Sequence, residues 1–449
     1  MINNNSQNEN TAESGFPSAF RINSIVLTNA YGKSIDIKAL VTQVTVTESI
    51  YSYSLVCTLE IRDTVNLFEE YRISGQEKVE IIFYKRDRGS KDTTKIKKVF
   101  YISEIPTFGK IKDAVQAYQL TCISEHAFYN HLSSISRTVT GSVSKMISHI
   151  VTGDLGYSGI VESDSDSKGN IKAIIPNMKP FTAISWLLRH AYSEGGSPIY
   201  AYESMDGFKI KSQKSLSDQN SVGTYKFNFL QESNPGTPSG YEEAKYKILS
   251  MSSDLNSSKY LMSARGAYAS TTKVVDIAKK RAYDIKFDYS SKFPQTPVVG
   301  DRKANKLISS AFKIKDDTLN HHHESLYIYM NENSMAYDTH KNYHSPAIHS
   351  IGHHQSMLEN LDSIKHSIVI HGNLDINAGK KISIEAPKSI DPQVYKRIRE
   401  KDSKKSAQHD MMVSGDYLIT SVKHTFGSEY NCALTIKKDY SYYTLDSAE

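Results

Sequence analysis

Imidazole is the side chain best placed to do chemistry in this sequence, because ten of its sixteen histidines fall between His321 and His371. His321-His322-His323 and the i, i+4 pairs His340/His344 and His349/His353 have spacings that could bring several rings to one metal ion, since residues four apart share a helix face. The sequence holds no H-E-x-x-H. Glu324 follows the triple histidine but lies outside any hydrolase spacing, and Cys432 is remote in the chain. Polar helix and loop positions, some of them interfacial, account for these histidines better than a native metal site, so no metal and no cofactor is expected.

Other candidate chemistries are weaker. There is no G-x-S-x-G and no phosphate-cradling glycine loop, although Ser, His and Asp are plentiful enough to meet in space. Carboxylate pairs such as Glu69/Glu70 and Glu242/Glu243 have the types a glycosidase uses, but solvated surface explains them better. Trp186 reads as helix core, not as a sugar platform. Cys57 and Cys122 read as small apolar residues of alternating strands. No catalytic residue is assigned.

Charge is concentrated more than the chemistry is. Residues 85–98 carry seven basic side chains against two acids, and residues 388–409 carry seven against three, while the whole chain has a net charge of only +5. The remainder is therefore acidic. These stretches read either as solvated hairpin tips or as docking loops for an acidic protein ring, with Lys95, Lys97, Lys98, Lys401, Lys404 and Lys405 as the candidate protein-contact residues. Nucleic acid is a minor option, because aromatic residues are sparse among them.

These groups are carried by a chain of 449 residues, too long for one hydrophobic core, and two to four domains are expected. With 39% hydrophobic and 23% charged residues it is polar but folded, which excludes wholesale disorder. No stretch approaches the roughly 20 apolar residues of a membrane helix, and Met1 to Ser14 lacks the apolar segment of a signal peptide, so the protein is expected to stay where it is made. Three cysteines without C-x-x-C spacing exclude a disulfide framework and a zinc finger. Tyrosine supplies 29 of the 45 aromatics, which suits half-buried sheet faces.

The elements follow from periodicity. Residues 1–16 read as a flexible arm. Leu55, Cys57, Leu59 and Ile61 alternate with Val56, Thr58, Glu60 and Arg62, Val79, Ile81 and Phe83 share a strand face, and strands at Val99 to Ile105 and Tyr118 to Ile123 complete a first antiparallel unit over 17–125, with a polar insert from Tyr84 to Lys98. Ser142 and Pro180 open helices, and a hairpin turns at Asp206-Gly207, giving an inserted α+β domain over 126–242. Strands are expected again from Tyr246, including Tyr260 to Ser270 and a hairpin from Lys273 to Tyr289, as the first part of a second β unit over 243–290. A polar, histidine-containing insertion over 291–344 goes with the α+β domain. A helix from Ser345-Pro346 toward Ile364 and further strands form the second part of that unit over 345–440, and 441–449 is a tail.

A repeat links the two β units. Gly75 to Ile81 resembles Gly379 to Ile384, Phe100 to Ile105 resembles Tyr417 to Val422, and Thr107-Phe108-Gly109 recurs as Thr425-Phe426-Gly427, each copy ending in an alternating strand. The expected fold class is α+β, β-rich, with two similar antiparallel units and inserted α+β domains; Gly75 should match Gly379, and Phe108 should match Phe426.

The stretches Val44 to Arg62 with Gly75 to Phe83, Gly266 to Ser270 leading to Asp276, and Ile368 to Ile384 joined through Gly415-Asp416-Tyr417 to Ile436 resemble the baseplate central hub proteins of T-even-type contractile-tailed phages. The resemblance implies two tube-like β-barrels per subunit and a non-enzymatic homotrimer, six barrels in all, that adapts a hexameric tail-tube ring or tube initiator to a trimeric spike protein. It further implies contact with tape-measure and baseplate wedge proteins, DNA only in passage through the lumen, no membrane partner, and residence in the virion after assembly in the host bacterial cytoplasm. The long N-terminal arm, the two basic inserts and the polar region from Asp288 to Tyr343 depart from the family pattern. A tail-associated cell-wall hydrolase and a host-receptor-binding tail protein are the alternative functions.

Overall fold

The computed structural model describes residues 20–85, 94–112, 115–163, 167–168, 170–227, 243–254, 259–277, 279–300, 312–332, 345–387, 410 and 413–439. Its strands are β1 Arg21–Thr28, β2 Ser34–Asp36, β3 Val41–Ser49, β4 Val56–Asp63, β5 Lys78–Lys85, β6 Thr94–Lys112 and β7 Val115–Ser124. There follow β8 Ile135–Gly141, β9 Val161–Ser163, β10 Ile171–Met178, β11 Ile199–Ser204, β12 Gly207–Ser212, β13 Ser221–Lys226 and β14 Ile248–Asp254. The last are β15 Ala269–Asp276, β16 Arg281–Asp288, β17 Tyr327–Glu332, β18 Ile364–His371, β19 Lys381–Glu385, β20 Gly415–Phe426 and β21 Tyr430–Lys438.

Thirteen of these strands form one sheet. Its first part runs β3-β4-β7-β6-β5-β1-β2 and its second β14-β18-β21-β20-β19-β13, joined where β20 pairs with β3. The alternation expected from the sequence puts Cys57, Leu59 and Ile61 of β4, Val79, Ile81 and Phe83 of β5, and Cys432, Leu434 and Ile436 of β21 in one continuous core shared by both parts. Burial in this core takes the apolar face of each period-2 strand out of water.

The repeat is visible in the ladder order. β3, β4, β7, β6 and β5 of the first part stand in the same ladder order as β14, β18, β21, β20 and β19 of the second. Gly75 and Gly379 precede β5 and β19 with φ of +88° and +82°, left-handed conformations that an L side chain resists. Phe108 stacks on Tyr118 and Phe426 on Tyr430, each pair directly opposed on equivalent strands. The sixth strand breaks the likeness, for β1 meets β5 antiparallel whereas β13 meets β19 parallel.

Between the two parts lies the expected α+β insert. A β8–β10 pair and a β11–β12–β9 sheet enclose Ile147, Ile175, Ile184, Leu187 and Phe208 with helices Val143–His149 and Pro180–Leu188, and Trp186 packs at the edge of that core. The hairpin at Asp206-Gly207 is present, with Ser204 paired to Gly207.

Four boundaries differ from the sequence expectation. β13, inside the span assigned to the insert, pairs with β19 and belongs to the second β part. Lys259–Ala264 is a helix, not a strand: Gly266, at φ +82°, closes it and lets the Ala267 amide bond back to Met262. Among the described residues of the span 243–290 only β14 joins the large sheet, because β15 is already paired on both sides, by β16 and by β17. Helix Ser345–Leu361 packs across that three-stranded sheet instead of joining the second β part, tied by Ser356 and Asn360 to the Ala267 carbonyl. A second α+β unit thus interrupts the second β part, as the first follows the first β part.

Candidate functional site

The basic strand end comes first, since it holds half of the predicted contact residues. β5 and β6 run further than the sequence suggested, so Lys95, Lys97 and Lys98 sit on a ladder opposite Tyr84, Ile82 and Ile81, not on a loop. Alternation separates them. Lys95 and Lys97 are exposed, and Lys97 pairs with Glu80 at 2.9 Å. Lys98 turns the other way, donating to the Ser204 carbonyl at 3.1 Å and lying 3.8 Å from Glu203. Lys401, Lys404 and Lys405 lie outside the described residues.

Lys98 borders a pocket of about 130 Å³ between the first β part and the α+β insert, lined also by Ser124, His126, Tyr157 and Glu203. The Glu203 carboxylate is buried and accepts from Ser124 Oγ at 2.5 Å and the Leu55 amide at 2.8 Å, with His126 Nε2 at 3.8 Å. Burial, and then the Glu203 charge, push the Tyr157 hydroxyl's pKa up. A serine, a histidine and a carboxylate in one pocket suggest nucleophilic catalysis, but the connections run the wrong way. Ser124 spends its proton on Glu203, and Nε2, the His126 nitrogen that faces this carboxylate, donates to the Tyr53 carbonyl at 2.8 Å and so offers the hydroxyl no lone pair. The group anchors the β11–β12 hairpin onto β7.

A second constellation lies where β20 meets β3. Glu48 accepts from the Ala378 amide at 2.6 Å and the Met205 amide at 2.8 Å, so one carboxylate holds both β parts and the insert. His424 Nε2 is 3.7 Å from Glu48, too long for a hydrogen bond but close for an ion pair, while Nδ1 lies 2.9 Å from the Tyr430 hydroxyl and 3.3 Å from Cys432 Sγ. Burial alone would lower the His424 pKa; the Cys432 sulfur and the Glu48 carboxylate outweigh it, and the ring is pushed up to about 10. Cys, His and Glu in contact again have the composition of a catalytic triad. All three are sealed in the core, without room for a substrate.

The sequence did not single out Glu48, Glu203 or His424. A signal existed for two of them: Glu48 shares the face of Val44 and Val46, and His424 that of Val422 and Phe426, so alternation places both ionisable groups inside.

The predicted histidine pair does not converge. His349 is exposed, whereas His353 is buried against Thr296 Oγ1 at 2.8 Å, and burial, with Lys292 nearby, pulls its pKa down to about 4. His321 stands between Asp317 and Asp288, and His323 Nδ1 donates to the His321 carbonyl. His340 and His344 lie outside the described residues, as does Glu242, while Glu69 accepts from Asn66 on the surface. Among the described residues no three His, Cys, Asp or Glu side chains are arranged so that they could hold a metal ion, and no helix is long and apolar enough to cross a membrane.

No family model and no curated protein matches the chain. Its fold is that of known phage tail proteins. A tail protein from Neisseria meningitidis MC58 is similar over 93% of this chain and 97% of its own, with a TM-score of 0.53 at 10% identity. The 43 kDa tail protein of prophage MuSo2 from Shewanella oneidensis is similar over 92% of this chain and 97% of its own, with a TM-score of 0.51 at 11% identity.

Proposed function

We propose that this chain is a non-enzymatic structural protein of a phage tail, acting as the central hub that joins a hexameric tail tube to a trimeric spike. The observation that carries the reading is the repeated strand order, two units of one sheet joined at β20 and β3. A chain that presents the same sheet twice lets three copies offer six near-equivalent barrel-like surfaces to a sixfold ring, while the dissimilar α+β inserts remain threefold. Similarity to phage tail proteins over nearly their whole length supports it. The closed Ser124 and Cys432 constellations speak against the hydrolase alternative, because neither offers an activated nucleophile to a polymer.

In this reading the partners are a spike protein, the first tube ring or a tube initiator, and the tape-measure and wedge proteins, with the exposed Lys95 and Lys97 meeting acidic neighbours. Gold-labelled antibody should mark one end of tails purified from the strain that encodes the chain, and deletion of its gene should leave tubes without spikes. Normal tails in the deletion strain would overturn the proposal.

A further inference from the structure

The junction of the two β parts has an unoccupied counterpart on the same molecule. β20 changes partner along its length: Gly415 to Leu418 pair with β19, and Ser421 to Phe426 then pair with Ser49 to Val44 of β3. β6 begins in the same way, with Thr94 to Tyr101 paired to β5. Beyond Ile102 that edge of β6 has no ladder partner among the described residues, although β7 still pairs with its other edge as far as Lys112. β14 stands beside β18 as β3 stands beside β4, and its outer edge likewise has no strand partner over Ile248–Asp254 among the described residues. The two open edges are separated in the ladder by β18, β21, β20, β3, β4 and β7.

Side-chain exposure agrees with a missing neighbour. Phe426 is 3% exposed, 5.0 Å from Phe83 across the occupied junction; Phe108, its match in the repeat, is 50% exposed. On β14, Leu249 is 40% exposed and no Lys, Arg or Pro blunts the strand, the usual protection of an edge. Pro106 of β6 falls in the bulge between Glu104 and Thr107, where the ladder is already interrupted.

We propose that the outer end of β6 in one copy pairs antiparallel with β14 of a second copy, repeating between chains the junction that β20 and β3 make within one. The inference rests on the hub reading and names the contact by which its copies assemble. The register follows from the ladders. Phe426 faces Val44 and Lys423 faces Thr47. Val44 corresponds to Ile248 through their shared positions opposite Leu59 and Ile370, and Thr47 corresponds to Ser252. Hence Phe108 of one copy faces Ile248 of the next, and Glu104 faces Ser252. Such a contact is head to tail, so copies add in one direction, and the hub reading requires that the rotation between neighbours close them into a ring and not an open filament.

The test mixes two variants of the full chain, Glu104→Cys and Ser252→Cys, under mild oxidation; the native cysteines are buried. A disulfide-linked pair is expected in the mixture and not from either variant alone, and a chain carrying both changes should give a covalent ladder ending at the ring. Phe108→Lys and Leu249→Lys, which leave the monomer fold in place by circular dichroism, should each weaken self-association at least about tenfold by analytical ultracentrifugation. Cross-links from Glu104→Cys alone, an oligomer that never links this pair, or a chain that stays monomeric at its highest soluble concentration would each overturn the contact. Antibody labelling of tail ends without the cross-link would spare the hub reading and remove this one; the reverse would do the opposite.

Discussion

Glu48 and Glu203 are both buried carboxylates at joints, and they are neutralised differently. Glu48, at the joint between the β parts, has two amides and one imidazolium in a sealed core. Glu203, at the joint between β part and insert, has an amide, a hydroxyl and two more distant bases at the wall of a small pocket. The first joint answers its charge with a single imidazolium beside two amides, out of reach of water. The second spreads its compensation over dipoles and borders a pocket.

Removing a carboxylate tests this contrast most strongly. Glu48→Gln leaves the His424 cation alone in the core and should cost about 3 to 5 kcal/mol in urea unfolding, with part of the loss returned in Glu48→Gln/His424→Asn. Glu203→Gln should cost less, about 1 to 3 kcal/mol, because Ser124 can reorient its hydroxyl. Equal losses would erase the distinction.

The pH profile separates the joints next. The His424 pKa is raised in the fold, so its contribution is complete below the ordinary value of about 6.5 and is lost as pH rises through about 10. Stability should fall by up to about 1 kcal/mol per pH unit across that window, and His424→Asn should flatten the decline. On the acid side the pKa values of His353 and His366 are lowered to about 4, His366 chiefly by burial and then by Lys438. Their contribution is present above about 6.5 and lost as pH falls toward 4. A thermal-melt series from about pH 4 to about pH 10 should therefore peak near neutrality.

The glycines sharpen the comparison between the β parts. Gly75→Ala should cost about 1 kcal/mol from its positive φ alone, since nothing crowds that position. Gly379→Ala should cost more, because the added methyl would meet the Tyr202 hydroxyl beside Ala378, the amide that binds Glu48. Smallest is the exposed Lys97–Glu80 pair, where Lys97→Met should change stability by less than about 1 kcal/mol; a larger loss would mean that Lys97 is not a surface residue of the folded chain.

Much of the fold was legible because the β parts follow one rule, apolar residues at every second position, and because the repeat fixed their order. The second α+β unit was misplaced because β15 and β16 obey the same rule, and periodicity states that a face is covered without saying whether a helix or another sheet covers it. The Lys259–Ala264 helix carried its stop signal in Gly266, but its apolar residues are too few to show a helical period. The joints were hidden for a different reason. Charged residues at inward positions read as exceptions until their partners, hundreds of residues away, are known.

That distance bears on synthesis. Ser49 and Thr420, bonded across the junction, are 371 residues apart. At elongation rates of roughly 5 to 20 residues per second, the outer edge of β3 must wait about 20 to 70 seconds for β20 to leave the ribosome. An open strand edge invites wrong pairing for that interval, most of all among neighbouring nascent chains on one messenger. Yield of soluble chain should therefore depend on translation speed and on holding chaperones, even though the finished molecule covers this edge from Val44 to Ser49.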